Sequence, residues 1–139
     1  MTAEPVTLTG SCLCGGVRFE IDEPFISVSH CHCESCKRLA GGVGTTSGRA
    51  RTAAVRILEG EELLRSYMPA EGSAKTFCSV CGANLFGGGW PESELCAVRL
   101  SAIDSGFDGK PEAHIFVRSV APWETLPDDG LPRYEIRAT

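Results

Sequence analysis

The chain has 139 residues, 42% of them hydrophobic, and a formal net charge of −5. That length suits one domain over residues 1–139, large enough to bury about two-thirds of its unfolded surface. The acidic balance argues against a dedicated nucleic-acid binder, which shows a basic face, and no apolar run approaches the roughly 20 residues of a membrane span.

The chain opens MTAEPVTLTG, without the basic n-region and apolar h-region of a secretory leader. The expected location is the cytoplasm, where structural disulfides are rare, so eight cysteines point to metal. Val6 to Thr9 reads as a strand, and Gly10 to Gly15 as a turn carrying Cys12 and Cys14. Val17, Phe19 and Ile21 alternate with Arg18, Glu20 and Asp22, the pattern of a half-buried strand. Ile26 to Cys33 reads as a strand, and Glu34 to Leu39 as a short helix ended by Gly41 and Gly42. Further strands are expected at Val43–Ser47, Ala54–Leu58, Leu63–Met68, Ala74–Phe77, Asn84–Phe86, Leu95–Leu100 and Ala113–Val117. The tail from Pro122 reads as mostly irregular, with a last strand near Tyr134–Ile136. Frequent glycine and proline between short apolar runs make the fold mainly β.

Residues 34–58 hold Lys37, Arg38, Arg49, Arg51 and Arg56 against Glu34 alone. Such a stretch is either a solvated face or a receiver for an anionic small molecule. Trp90 and Trp123 read as packing residues, with Trp123 also placed to wall a pocket.

The cysteines fall into four groups. Cys12-Leu13-Cys14-Gly15 and Cys78-Ser79-Val80-Cys81-Gly82 are tight turns. In each, the glycine after the second cysteine frees the backbone so that two thiolates face one ion. Brought together, the two turns make a Cys₄ tetrahedral zinc site; a redox dithiol at Cys78 and Cys81 would leave the other pair without a partner. Cys31-His32-Cys33-Glu34-Ser35-Cys36 is different. On an extended strand Cys31 and Cys33 share one face while His30 and His32 share the other, and Cys36 follows on the next turn. Three protein ligands with an open fourth position mark a catalytic zinc; the competing arrangement is a closed Cys₃His site using His30, His32 or His114. Cys96, inside Leu95-Cys96-Ala97-Val98, reads as a small core residue.

These motifs, with Pro111 to Val117, Ser119, Ala121-Pro122-Trp123 and Leu131-Pro132, resemble the glutathione-dependent formaldehyde-activating family. The resemblance implies an Mss4-like fold, a tent of twisted antiparallel sheets with one short helix around a structural Cys₄ zinc. It implies two zinc ions per chain, a structural one on Cys12, Cys14, Cys78 and Cys81 and a catalytic one on Cys31, Cys33 and Cys36. Residues 43–54 depart from the family, being short of the aromatics expected there.

The activity implied is that of a carbon–sulfur lyase or synthase, condensing formaldehyde with glutathione to S-hydroxymethylglutathione. Its partners would be glutathione or another small thiol and a small aldehyde, with no nucleic acid and no membrane. The carboxylates of glutathione need positive partners, and Arg49 and Arg51 are the candidates. A thiol carrier or zinc-dependent interaction module without turnover is the alternative. A reductase would need Cys96 as an exposed nucleophile, and a zinc-ribbon nucleic-acid binder conflicts with the acidic charge.

Overall fold

The computed structural model describes residues 7–137. In chain order the strands are β1 (Leu8–Ser11), β2 (Arg18–Ile21), β3 (Ser27–Cys31), β4 (Thr45–Arg51), β5 (Val55–Glu59), β6 (Leu64–Tyr67), β7 (Lys75–Cys78), β8 (Asn84–Gly87), β9 (Leu95–Arg99), β10 (Ile103–Ser105) and β11 (Ala113–Ile115). One helix, α1 (Glu34–Ala40), joins β3 to β4 and stops at Gly41, whose φ of 67° is the left-handed cap. Two sheets with one short helix is the mainly β architecture the sequence led us to expect. Among the described residues, no helix is long and apolar enough to cross a membrane.

The smaller sheet runs β10-β1-β2-β5 and the larger β11-β3-β4-β9-β8-β7-β6. Every named pairing is antiparallel except β11 on β3, which is parallel, with Ala113 opposite Ser29 and Ile115 opposite Cys31. The parallel pair departs from the all-antiparallel expectation. It is possible because more than eighty residues separate the two strands, ample for a crossover.

Strand positions differ from expectation elsewhere too, and β10 is a strand that the sequence reading did not anticipate. The first strand begins at Leu8, and Val6 of the expected span lies outside the described residues. The segment Thr45-Thr46-Ser47-Gly48-Arg49-Ala50-Arg51 is a full seven-residue strand, although little in its composition favours one. It pairs with β3 on one side and β9 on the other, and that tertiary pairing overrides local preference. Tyr134–Ile136 is not a strand. The tail still bonds to β11, with His114 N donating to Pro132 O and Tyr134 N to His114 O, both at 2.9 Å. Pro132 has no N–H to extend a regular ladder.

The core lies between the sheets. Phe19 and Ile21 face inward from β2, as the alternation demanded, and meet Leu85, Phe86 and Val98 from the larger sheet. Phe19 and Phe86 meet edge to face at 5.0 Å between centroids, and Phe86 stacks on Trp90 at 4.6 Å. Cys12 and Cys78 are members of this core, and Cys96 is buried as a small apolar residue. Trp90 packs as expected, but Trp123 is 71% exposed. Ala121 takes the buried position instead, and a turn closed by Glu124 N on Ala121 O turns the indole outward.

Phe86 joins both aromatic contacts and is fully buried. Phe86→Ala should cost about 3–5 kcal/mol of folding stability, measured by urea unfolding; a loss below about 1 kcal/mol would mean the sheets do not depend on this contact.

Candidate metal centres

The turn between β1 and β2 and the turn between β7 and β8 bring four sulfurs together. Gly15 N bonds to Cys12 O, and Gly82 N to Cys78 O, closing each turn. Gly15 and Gly82 adopt φ of 78° and 76°, the left-handed conformation anticipated after the second cysteine. The Sγ atoms of Cys12, Cys14, Cys78 and Cys81 all lie within 4.8 Å of one another. Cys12 to Cys14 is 3.5 Å and Cys14 to Cys78 is 3.9 Å. Four sulfurs around zinc at ordinary bond length stand about 3.8 Å apart, so this donor set fits the ion in type and spacing. Backbone amides support the sulfurs: Val17 N donates to Cys12 Sγ at 3.2 Å. The amides of Ala83 and Cys14 help hold the Cys81 thiol down to about 6.

The second cluster sits where β3 passes into α1. Cys31 ends the strand, Cys33 is the helix N-cap, and Cys36 lies in the first turn. Their sulfurs also lie within 4.8 Å of one another, so three soft donors could hold a metal ion. Cys36 N donates to Cys33 Sγ at 3.3 Å. Hydrogen bonds from the Cys31 and Cys36 thiols push Cys33 down to about 2, and the contacts with Cys33 and Cys36 push Cys31 up.

The three histidines turn away from the sulfurs, as strand alternation led us to expect for His30 and His32. His32 Nε2 and His114 Nδ1 are 2.9 Å apart, and His114 Nε2 is 2.7 Å from Asp129 Oδ2. His32 Nδ1 donates to Val43 O, and His30 Nδ1 meets Thr46 Oγ1. The His30 and His114 rings stack at 4.8 Å. These bonds engage both ring nitrogens of His32 and His114. Among the described residues, no His, Asp or Glu atom joins the three sulfurs as a fourth donor.

Arg49 and Arg51 lie on β4, exposed. Both share the face of Thr45, the partner of Cys31, but at four and six residues' remove, about 13 and 20 Å along the strand. Arg51 is held by Glu23, its Nε donating to both carboxylate oxygens at 2.8 and 3.0 Å. Arg56 pairs with Asp22 and Glu20 in the same manner. The basic stretch is largely a solvated, ion-paired face.

The sequence reading did not single out Arg99. It closes β9, is 5% exposed, and lies opposite Ser47. Its Nη1 donates to Ser47 Oγ at 2.9 Å and Thr45 Oγ1 at 3.3 Å, and its Nε donates to Asn84 Oδ1. Burial pulls its pKa below the ordinary arginine value, while the Cys36, Cys31 and Cys33 thiols draw it back up. A guanidinium keeps its charge even so. Gly87 makes room for it, since a Cβ there would lie 2.6 Å from Arg99 Nη2. Arg99 and Asn84 also line a cleft of about 760 Å³ bordered by Ser11, Thr45, Thr46 and Asp104. The available signal was slight: one charged residue at the end of an apolar strand.

With this geometry in view, comparison with known proteins is informative. The family described as "Glutathione-dependent formaldehyde-activating enzyme" matches residues 7–119, a span that includes both cysteine clusters. The chain belongs to that family. A protein from Halomonas elongata, which carries the provisional name of glutathione-dependent formaldehyde-activating enzyme, is 34% identical over 128 residues. The match covers 84% of this chain and 78% of that one. The crystal structure of a Rhodobacter sphaeroides protein aligns with a TM-score of 0.57 at 22% identity, over 91% of this chain and 98% of that one. That likeness is one of fold.

Gly44 sits against the second cluster, where a Cβ would lie 2.2 Å from Cys31 O. Gly44→Ala must therefore displace the end of β3. It should weaken metal binding at Cys31, Cys33 and Cys36 at least about tenfold while sparing the four-sulfur cluster, measured by chelator competition.

Proposed function

We propose that this chain is a zinc enzyme joining the thiol of glutathione to formaldehyde. Family membership supports the reactants, and one observation carries the assignment to a site. Cys31, Cys33 and Cys36 offer three sulfurs with no fourth protein donor among the described residues. Cys12, Cys14, Cys78 and Cys81 would hold a structural ion on four sulfurs, with Cys12 and Cys78 belonging to the core. Cys31, Cys33 and Cys36 would hold the second, which when bound supplies Lewis-acid polarisation and charge for a substrate thiolate.

The reaction needs little from acid–base groups. The thiol sulfur adds to the carbonyl carbon, a C–S bond forms, and the carbon–oxygen π pair moves to oxygen. The proton released by the thiol is balanced by the one that oxygen takes up, giving S-hydroxymethylglutathione. The residues of the chain position and exclude. Arg99 sets a permanent positive charge against the cysteine cluster. The histidine chain engages the rings of His32 and His114 away from it. Arg49, exposed on the same face of β4, is the better placed of the two surface arginines to meet a glutathione carboxylate, because Glu23 already occupies Arg51.

Metal analysis should give two zinc ions per chain, and the protein should accelerate formaldehyde consumption only with glutathione present. Cys36→Ala should lose one ion and at least about 100-fold in rate yet melt cooperatively, whereas Cys78→Ala should fail to fold. Glutathione binding without acceleration would instead make the protein a thiol carrier. Unfolding of Cys36→Ala would make the second site structural.

A further inference from the structure

The outward face of the larger sheet carries charge of one sign. Strand register fixes which side chains share that face. Thr45 and Ser47 lie opposite Cys31 and Ser29, so the odd-numbered residues of β4 stand on the side of the second cluster. Arg49 and Arg51 are therefore there, and Arg99 joins them from β9, opposite Ser47. Asn84, which Arg99 Nε reaches, lies opposite Phe77, and Phe77 lies opposite Arg65. Strands β7 and β6 thus turn Lys75, Phe77, Arg65 and Tyr67 to the same side. Arg49, Arg51, Arg65, Lys75 and Arg99 share one face, with no Asp or Glu among the strand residues beside them. The chain as a whole is acidic, at −5, so this face is not an average sample of its surface.

Two of these cations are available to a ligand. Glu23 holds Arg51, the backbone carbonyls of Glu62 and Leu64 hold Arg65, and Arg99 is buried and bonded to Ser47, Thr45 and Asn84. Among the described residues neither Arg49 nor Lys75 has an ion pair. Lys75 Nζ meets Ser73 Oγ at 3.5 Å, the outer limit of a hydrogen bond. The two stand at opposite ends of one row across the sheet. Arg49 is opposite Ala97, Ala97 is opposite Gly87, and Lys75 follows as the residue before Thr76, the partner of Phe86. Three strand spacings separate them, about 14 Å. Between them the row contributes the Ala97 methyl and, over Gly87, the guanidinium of Arg99. Lys75 is half-buried, so solvent screens its charge less than that of exposed Arg49. It also reaches the second cluster: hydrogen bonds from Cys31 and Cys36 lower the Cys33 thiol most, and the Lys75 charge adds to them.

We propose that Lys75 and Arg49 anchor the two carboxylates of the thiol substrate, one at each end, across the outward face of the larger sheet. This rests on the thiol–aldehyde reading above. Glutathione carries a carboxylate at each end and its thiol on the middle residue. An extended tripeptide spans about 10 Å, and both side chains are long enough to lean inward over the row. The charge of Arg99 lies between the two anchors. An uncharged thiol gains nothing from such a face, so the arrangement selects for a dicarboxylate. Lys75 and Arg49 are then specificity-determining residues, and they take no part in forming the C–S bond.

S-Methylglutathione keeps both carboxylates and cannot react, so it is the probe. Calorimetric titration of the zinc-loaded protein should show its affinity fall about fivefold in Lys75→Gln, about threefold in Arg49→Gln and about 15-fold in the double variant. Lys75→Arg, which keeps the charge, should stay within about twofold of wild type. In rate assays Lys75→Gln should raise KM for glutathione about fivefold with kcat held. The same variant should leave the rate with 2-mercaptoethanol, which has no carboxylate, unchanged. Equal S-methylglutathione affinity in wild type and the double variant would overturn the inference. So would an equal loss with 2-mercaptoethanol, which would make Lys75 a tuner of the cysteine cluster. Probe binding that depends on both cations, in a wild type that never consumes formaldehyde, would keep the docking face and refute the thiol–aldehyde reading.

Discussion

Four sulfurs, two from a turn of each sheet, meet within 4.8 Å of one another. Cys12 and Cys14 lie on the turn between the first two strands of the smaller sheet, and Cys78 and Cys81 on a turn at the far side of the larger one. More than sixty residues of chain separate the pairs, so closing that loop is entropically costly, and the cost grows only slowly with loop length. Directly behind the sulfurs, Phe19 from one sheet meets Phe86 from the other. Cluster and aromatic core are continuous, since Cys12 and Cys78 belong to both. Loss of one would loosen the other, which makes the two contributions coupled rather than additive.

The second cluster has a different setting. It hangs from the larger sheet alone, at the end of β3 and the start of α1. β4 and β9 pass beside it and bring Thr45, Ser47 and Arg99 to the same face. An ion held there could leave without separating the sheets. It also has a buried cation on its inner side, where charge is least screened by solvent. The tripeptide substrate would meet solvent-exposed Arg49 only at its periphery, and there an ion pair is worth little by itself.

The cysteine clusters were legible because their geometry is local. A turn with two thiols and a glycine dictates where its sulfurs point, and strand alternation dictates that His30 and His32 face away from Cys31 and Cys33. Both readings depend on residues within five positions of one another. The pairing of Arg99 with Asn84 was not legible, because it depends on register. Arg99 reaches Thr45 and Ser47 only because β9 pairs with β4 in one particular alignment, and Asn84 joins through β8. Nothing in Leu95-Cys96-Ala97-Val98-Arg99 announces those neighbours. The parallel contact of β11 with β3 escaped for the same reason, and the strand expected at Val43–Ser47 runs instead from Thr45 to Arg51 through pairing that its own composition does not predict.

Gly87 carries a consequence for variation among relatives. The space it leaves is filled by one guanidinium, and a methyl group in its place would strike that guanidinium's nitrogen. A side chain at 87 and an arginine at 99 therefore compete for one volume. Across a set of related sequences the two positions should covary, with glycine at the first wherever arginine stands at the second. A lineage that fills position 87 would then have to balance the charge of its cysteine cluster by some other means.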